Sequence, residues 1–231
     1  MQEFLASLSC MQSLTHLQLH GFLSGPRNLT SGAAFSTLQK INLSQLTRVQ
    51  IRAPPSTVIA FLFCVIIPLR TEVILDCEPG FSPDDCALLP SALAQRYKLS
   101  EDQKSPGPVI RSLVIAFRDQ RANLTLSVSD CDHGSPESDT KLGCNTPLDI
   151  SVWSDRSRLE SVQEFMSNIC CSVPLTNVER VYVTGPPVSG TFWRKMLGHL
   201  RDIRYIKLRQ GDMPDLASVL SLRPRGLAKS C

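Results

Sequence analysis

Chemistry in a protein of this kind would need metal ligands, a nucleophile with its base, or a stacking surface. Each has one candidate stretch. Asp130-Cys131-Asp132-His133, with Cys144 beyond it, gathers thiolate, imidazole and carboxylate groups, all of them zinc ligands. The spacing fits no common structural zinc site, and the stretch is polar throughout, so it reads as a loop. His16 and His20 lie four apart, the spacing that shares a face on a helix. The surrounding Leu14-x-x-Leu17-x-Leu19 predicts a strand instead, on which His16, Gln18 and His20 share a solvated face. Phe192-Trp193 beside Arg194-Lys195 could stack on nucleic acid, yet the helical spacing with Met196, Leu197 and Leu200 favours a core aromatic pair flanked by solvated cations. Cys170-Cys171 abuts an apolar helix and reads as packing. No dinucleotide fingerprint, Walker loop, H-E-x-x-H or G-x-S-x-G pattern occurs. Catalytic, cofactor and metal residues are therefore expected to be none.

The elements that position these residues carry the stronger signal. Val178-x-x-Val181-x-Val183 is followed, after a Gly185-Pro186-Pro187 turn and the Phe192–Leu200 helix, by Ile203-x-x-Ile206-x-Leu208. Strand, helical crossover and strand at a period near 25 residues predict a leucine-rich-repeat-like solenoid. Earlier copies are Leu14-x-x-Leu17-x-Leu19, Leu38-x-x-Ile41-x-Leu43, Leu46-x-x-Val49-x-Ile51, Glu72–Asp76 and Ile110-x-x-Leu113-x-Ile115. The 38–43 and 46–51 copies are too close for a parallel crossover, so one of them is expected to be irregular, with Val49 and Ile51 preferred as the strand. Leu124-x-Leu126-x-Val128 and Leu148-x-Ile150-x-Val152 alternate cleanly. The link from Val114 to Leu124 is too short for a crossover, which predicts an antiparallel hairpin.

The fold class expected is thus α/β: a degenerate leucine-rich-repeat-like solenoid, mostly parallel, with helical crossovers and an antiparallel hairpin insertion. One domain spans 1–222, with a helical insertion at 77–108 and a hairpin with a polar loop at 118–153, and 223–231 is a tail. Six strands are expected to centre on Leu17, Val49, Val73, Leu113, Val181 and Ile206, with helices on one side.

Composition bounds the rest. Among 231 residues 42% are hydrophobic and 19% charged, ample for a packed core. The net charge of +3 points to no nucleic acid by itself. From Arg194 onward nine Lys/Arg face three Asp, whereas Glu72–Asp102 carries seven acids against Arg96 and Lys98. Nine cysteines without C-x-x-C predict free thiols in a reducing compartment, cytoplasmic or nuclear. Asn28, Asn42 and Asn123 match the N-glycosylation pattern, but the N-terminus lacks a secretory signal, so these are read as chance matches. The longest apolar run, Val58–Leu69, falls short of the roughly twenty residues of a membrane span and reads as a buried helix.

The degenerate L-x-x-L-x-L strands, the Pro54–Leu62 helix (Pro-Pro-Ser-Thr-Val-Ile-Ala-Phe-Leu) and Phe192–Leu197 before Ile203–Leu208 resemble the C-terminal region of fungal F-box-like proteins. The resemblance covers nearly the whole chain through loose motifs. It implies a substrate-recruiting region of a cullin-type ubiquitin ligase, joined to its adaptor through an F-box module that this sequence does not contain. The Asn or Cys that typical leucine-rich repeats place after L-x-x-L-x-L is also missing. Phe22, Pro54, Glu78, Arg118, Pro186 and Gly211 stand there instead.

Strand alternation then names a partner-binding face: Arg48, Gln50 and Arg52; Arg180 and Tyr182; Tyr205, Lys207 and Arg209. Val114 and Ala116 are apolar on that face, so the 124–152 hairpin or its helix is expected to cover them. The partner expected is a protein of unspecified identity, with no membrane and no nucleic acid. The alternative is an enzyme or nucleic-acid binder on a similar layered fold.

Overall fold

In the computed structural model, residues 2–21, 40–101, 109–118, 121–128, 147–153, 159–209 and 214–221 are described. The strands are β1 (His16–His20), β2 (Ile41–Asn42), β3 (Arg48–Ala53), β4 (Val65–Ile66), β5 (Glu72–Cys77), β6 (Ser112–Arg118), β7 (Arg121–Ser127), β8 (Leu148–Trp153), β9 (Arg180–Thr184) and β10 (Tyr205–Arg209). The helices are α1 (Gln2–Ser9), α2 (Pro55–Cys64), α3 (Pro83–Glu101), α4 (Leu159–Ser172), α5 (Gly190–His199) and α6 (Pro214–Ser221).

Eight strands form one sheet in the order β1-β3-β5-β8-β7-β6-β9-β10. All neighbours are parallel except β8–β7 and β7–β6, so β7 alone runs against the rest. The chain is therefore α/β with a mostly parallel sheet. The six expected strand centres all lie in this sheet, in register: Leu17, Val49 and Val73 face one another, as do Leu113, Val181 and Ile206. Their side chains, with Ile51, Leu75, Ile115, Leu148, Ile150 and Val183, join helix residues in one core. Tyr182 and Ala116, on the opposite sheet face, are buried yet stand outside that core. Helices α2 to α6 form a single row, with α2 against α3, α3 against α4, α4 against α5 and α5 against α6, while α1 lies against β2.

Local sequence explains the helix ends. Pro55 sits in the first turn of α2, where its missing N–H is no loss. The helix carries no charge and is buried nearly all round, as an apolar helix must be. It ends at Cys64, and the apolar run continues as β4, so the expected buried helix covers about half of Val58–Leu69. At the start of α3, Ser82 Oγ accepts from Asp85 N at 3.1 Å, and Asp85 Oδ2 accepts from Ser82 N at 2.9 Å. This reciprocal capping satisfies two donors that a helix start leaves over. The helix then runs through Pro90, which lies buried with Leu89, Ala92 and Leu93.

Two expectations are revised. The 38–43 and 46–51 copies are both strands. β2 pairs with β4 in a separate two-stranded sheet, so the short link to β3 needs no crossover. Both sheets share one offset of 24 residues, Arg48 with Glu72 and Ile41 with Val65 (72 − 48 and 65 − 41). The described strands of the β6–β7–β8 meander also lie in the plane of the sheet instead of over Val114 and Ala116. β7 lies beside β6 in the plane of the sheet, with Val114 opposite Thr125 and Ala116 opposite Asn123.

Candidate binding face

Alternation along the strands leaves a sheet face opposite the helix row. Register assigns its rows directly. One row runs Gln18, Gln50, Ile74, Asp149, Thr125, Val114, Tyr182, Lys207. The next runs His20, Arg52, Asp76, Ser151, Asn123, Ala116, Thr184, Arg209.

All eight residues named from the sequence lie on this face, but they form two groups. Arg48, Gln50 and Arg52 belong to β3, while Arg180 and Tyr182 belong to β9 and Tyr205, Lys207 and Arg209 to β10. Five strand steps separate β3 from β9, about 24 Å at the usual spacing. The β3 group is neutralised in place: Arg48 Nε lies 3.4 Å from Glu72 Oε2 and Arg52 Nε 3.8 Å from Asp76 Oδ2. Gln50 is half-buried.

The β9–β10 group is contiguous. Tyr205 stands opposite Arg180, Lys207 opposite Tyr182 and Arg209 opposite Thr184. The rings of Tyr182 and Tyr205 contact diagonally, centroids 5.9 Å apart and tilted by 56°. Tyr182 is 7% exposed and Tyr205 48%, so one ring is a floor and the other a wall. Lys207 and Arg209 are exposed and Arg180 is half-buried. Among the described residues, the positions of β6, β9 and β10 on this face include basic side chains but no acid.

A cluster between the two groups went unnoticed in the sequence. Asp76 Oδ1 accepts from Trp153 Nε1 at 3.0 Å and lies 3.5 Å from Arg121 Nη2, while Oδ2 faces Arg52. The Arg121 guanidinium sits 5.1 Å above the Trp153 ring, a cation–π contact. Nearby, Asp149 Oδ1 accepts from Thr125 Oγ1 at 3.1 Å. Ser112 and Ser127 face each other with both hydroxyl oxygens buried and without hydrogen-bond partners. The cluster joins residues 77 positions apart, and no sequence pattern announces that β8 lies between β5 and β7.

The other candidates fall as follows. His16 and His20 are exposed on β1, with Gln18 Nε2 donating to His20 Nε2 at 2.6 Å. Phe192 and Trp193 are buried in the core, Phe192 edge-on to Phe117 at 5.9 Å, and neither can stack on a nucleic acid. Arg194 and Lys195 are exposed beside them, Lys195 3.4 Å from Glu164. Among the described residues no group of three or more His, Cys, Asp or Glu could hold a metal ion. The 130–133 stretch and Cys144 lie outside the described residues, as does Asn28. Asn42 is exposed, whereas Asn123 Oδ1 is buried without a hydrogen-bond partner, which makes Asn123 a poor acceptor for a glycan. Cys10, Cys64, Cys77, Cys86, Cys170 and Cys171 are free thiols. Burial pushes the Cys77 thiol far up, with Asp76 and Asp85 adding to it, and burial does the same to Cys170, with Cys171 adding. No helix among the described residues is long and apolar enough to cross a membrane.

No protein-family model matches the chain, and no curated protein or solved structure matches it.

Proposed function

We propose that this chain is a protein-binding module, a degenerate leucine-rich-repeat-like solenoid whose sheet face opposite the helix row captures an acidic or phosphorylated segment of a partner. The observation that carries the reading is the β9–β10 patch. Two contacting tyrosines are flanked by exposed Lys207 and Arg209 and by Arg180, with no acid among their neighbours on β6, β9 and β10. Fixed cations beside aromatic rings suit carboxylate or phosphate groups, arginine through its two-pronged hydrogen bonding. The common 24-residue offset in both sheets and the helices kept to one side support the solenoid reading. The resemblance to fungal F-box-like proteins supplies the partner class, a substrate protein presented to a ubiquitin ligase. The binding surface acts by contact, and no bond is made or broken on it.

The test is capture by the whole chain of a phosphorylated peptide library and its unphosphorylated twin. Lys207→Glu with Arg209→Glu should abolish retention of the acidic and phosphorylated members, while Arg48→Glu should leave it intact. An unchanged binding profile for the double variant removes the patch as the partner site.

A further inference from the structure

We propose that the outer edge of β1 is a self-pairing surface, joining a second copy of this chain antiparallel, with Gln18 facing its own counterpart across a two-fold axis. The two ends of the sheet differ in how they are guarded. β10 carries Lys207 and Arg209, with Arg204 just ahead of it, and such charges discourage strand addition. β1 is His16-Leu17-Gln18-Leu19-His20, without Lys, Arg, Asp, Glu or Pro. Among the described strands it is paired on one side only, by β3.

Its sequence is also a palindrome. Read in the opposite direction against itself, it sets His16 against His20, Leu17 against Leu19 and Gln18 against Gln18. Backbone phase agrees with that centre. Thr15 O accepts from Arg48 N and Gly21 N donates to Arg52 O, so residues 15, 17, 19 and 21 turn their hydrogen bonds inward to β3. His16, Gln18 and His20 then present N–H and C=O outward, the geometry that exchanges bonds pairwise in an antiparallel ladder. Three such pairs make about six backbone hydrogen bonds. Leu17 and Leu19, half-buried on the helix side, would each gain a leucine neighbour. A parallel joint between β1 and β10 of another copy would instead generate an open-ended series.

Sedimentation of the whole chain across a concentration range should show a monomer–dimer equilibrium that stops at the dimer. Gln18→Lys sets two ammonium groups against each other and should weaken that dimer by roughly tenfold or more, because like charges directly opposite repel. Its circular dichroism should match the parent, as Gln18 is exposed. Gln18→Cys tests the register. Bonded antiparallel partners lie about 5.5 Å apart, within disulfide reach, so mild oxidation should yield a dimer linked from 18 to 18. His16→Cys alone would face His20 and should not link to itself. A protein that stays monomeric near 100 μM on the order of ordinary weak dimers, a dimer that survives Gln18→Lys, an open-ended series, or failure of the 18-to-18 link would each overturn the proposal.

Discussion

Trp153 donates its indole N–H to Asp76 at 3.0 Å, tying the last residue of β8 to the penultimate residue of β5. The same carboxylate faces Arg52 and Arg121, so one acid on β5 serves three strands: β3, β7 and β8. The cluster locks the meander against the N-terminal strands on the face opposite the described helices.

Asp76→Ala should leave Arg121 and Trp153 without their common acceptor. The loss of a partly buried acceptor for charged and neutral donors is expected to cost about 1–3 kcal/mol in denaturant unfolding. Trp153→Phe combined with Asp76→Ala should cost less than the sum of the two changes, which a double-mutant cycle reads directly.

Thr71 Oγ1, fully buried, donates to Leu46 O at 2.6 Å, and Thr47 Oγ1, exposed, donates to Thr15 O at 2.8 Å. These hydroxyls tie successive strand starts together. Thr71→Val leaves a buried carbonyl short of one donor and should cost about 1–2 kcal/mol. Thr47→Val should cost less, since water replaces the lost donor. Equal effects would argue against a burial-based account.

Gly185 has φ +122°, and a Cβ there would lie 2.8 Å from Phe117 Cβ. Gly185→Ala combines a disfavoured backbone with a collision between the β9–α5 turn and β6. A loss of roughly 2 kcal/mol or more is expected, the upper part of ordinary single-site effects. A variant that melts with the parent would show that β6 can yield there.

The buried thiols set an alkaline limit. Cys77 and Cys170 are held neutral in the folded protein, whereas in the unfolded chain they ionise near their ordinary value of 9.0. Above that pH the unfolded state binds fewer protons than the folded one, so stability falls as pH rises. Each thiol contributes a slope of up to about 1.4 kcal/mol per pH unit. Cys77→Ala should shrink that slope, whatever it does to stability at pH 7. Thiol reagents at neutral pH should label exposed Cys10 and Cys171 well before Cys77 or Cys170.

The strands were legible because alternation survives wherever one face is buried: Val49 and Ile51, Leu113 and Ile115, and Val181 and Val183 all point to the core. The pairing of strands was not. Nothing local in Val73 or Leu148 says that they face each other, since 75 residues separate them in register (148 − 73). For the same reason Asp76, Arg121 and Trp153 could not be grouped from their spacing. The eight named residues share one sheet face, because period two fixes which side chains lie together. They fall into two groups because the meander fills the middle of the sheet. Pairing also revealed that Arg48 and Arg52 already have carboxylate neighbours.

Strand order governs the order in which the chain can be completed during synthesis. From β5 the polypeptide passes over two vacant positions to lay down β6, then returns through β7 to set β8 beside β5. Until residue 153 has left the ribosome, the β1-β3-β5 block has an exposed edge of six residues, Glu72–Cys77, waiting for a partner. Such an edge invites pairing with other chains. Closing it requires long-range contacts, which form slowly. A nascent chain paused between residues 78 and 147 would thus be at its most vulnerable, with its N-terminal strands formed and the seam still open.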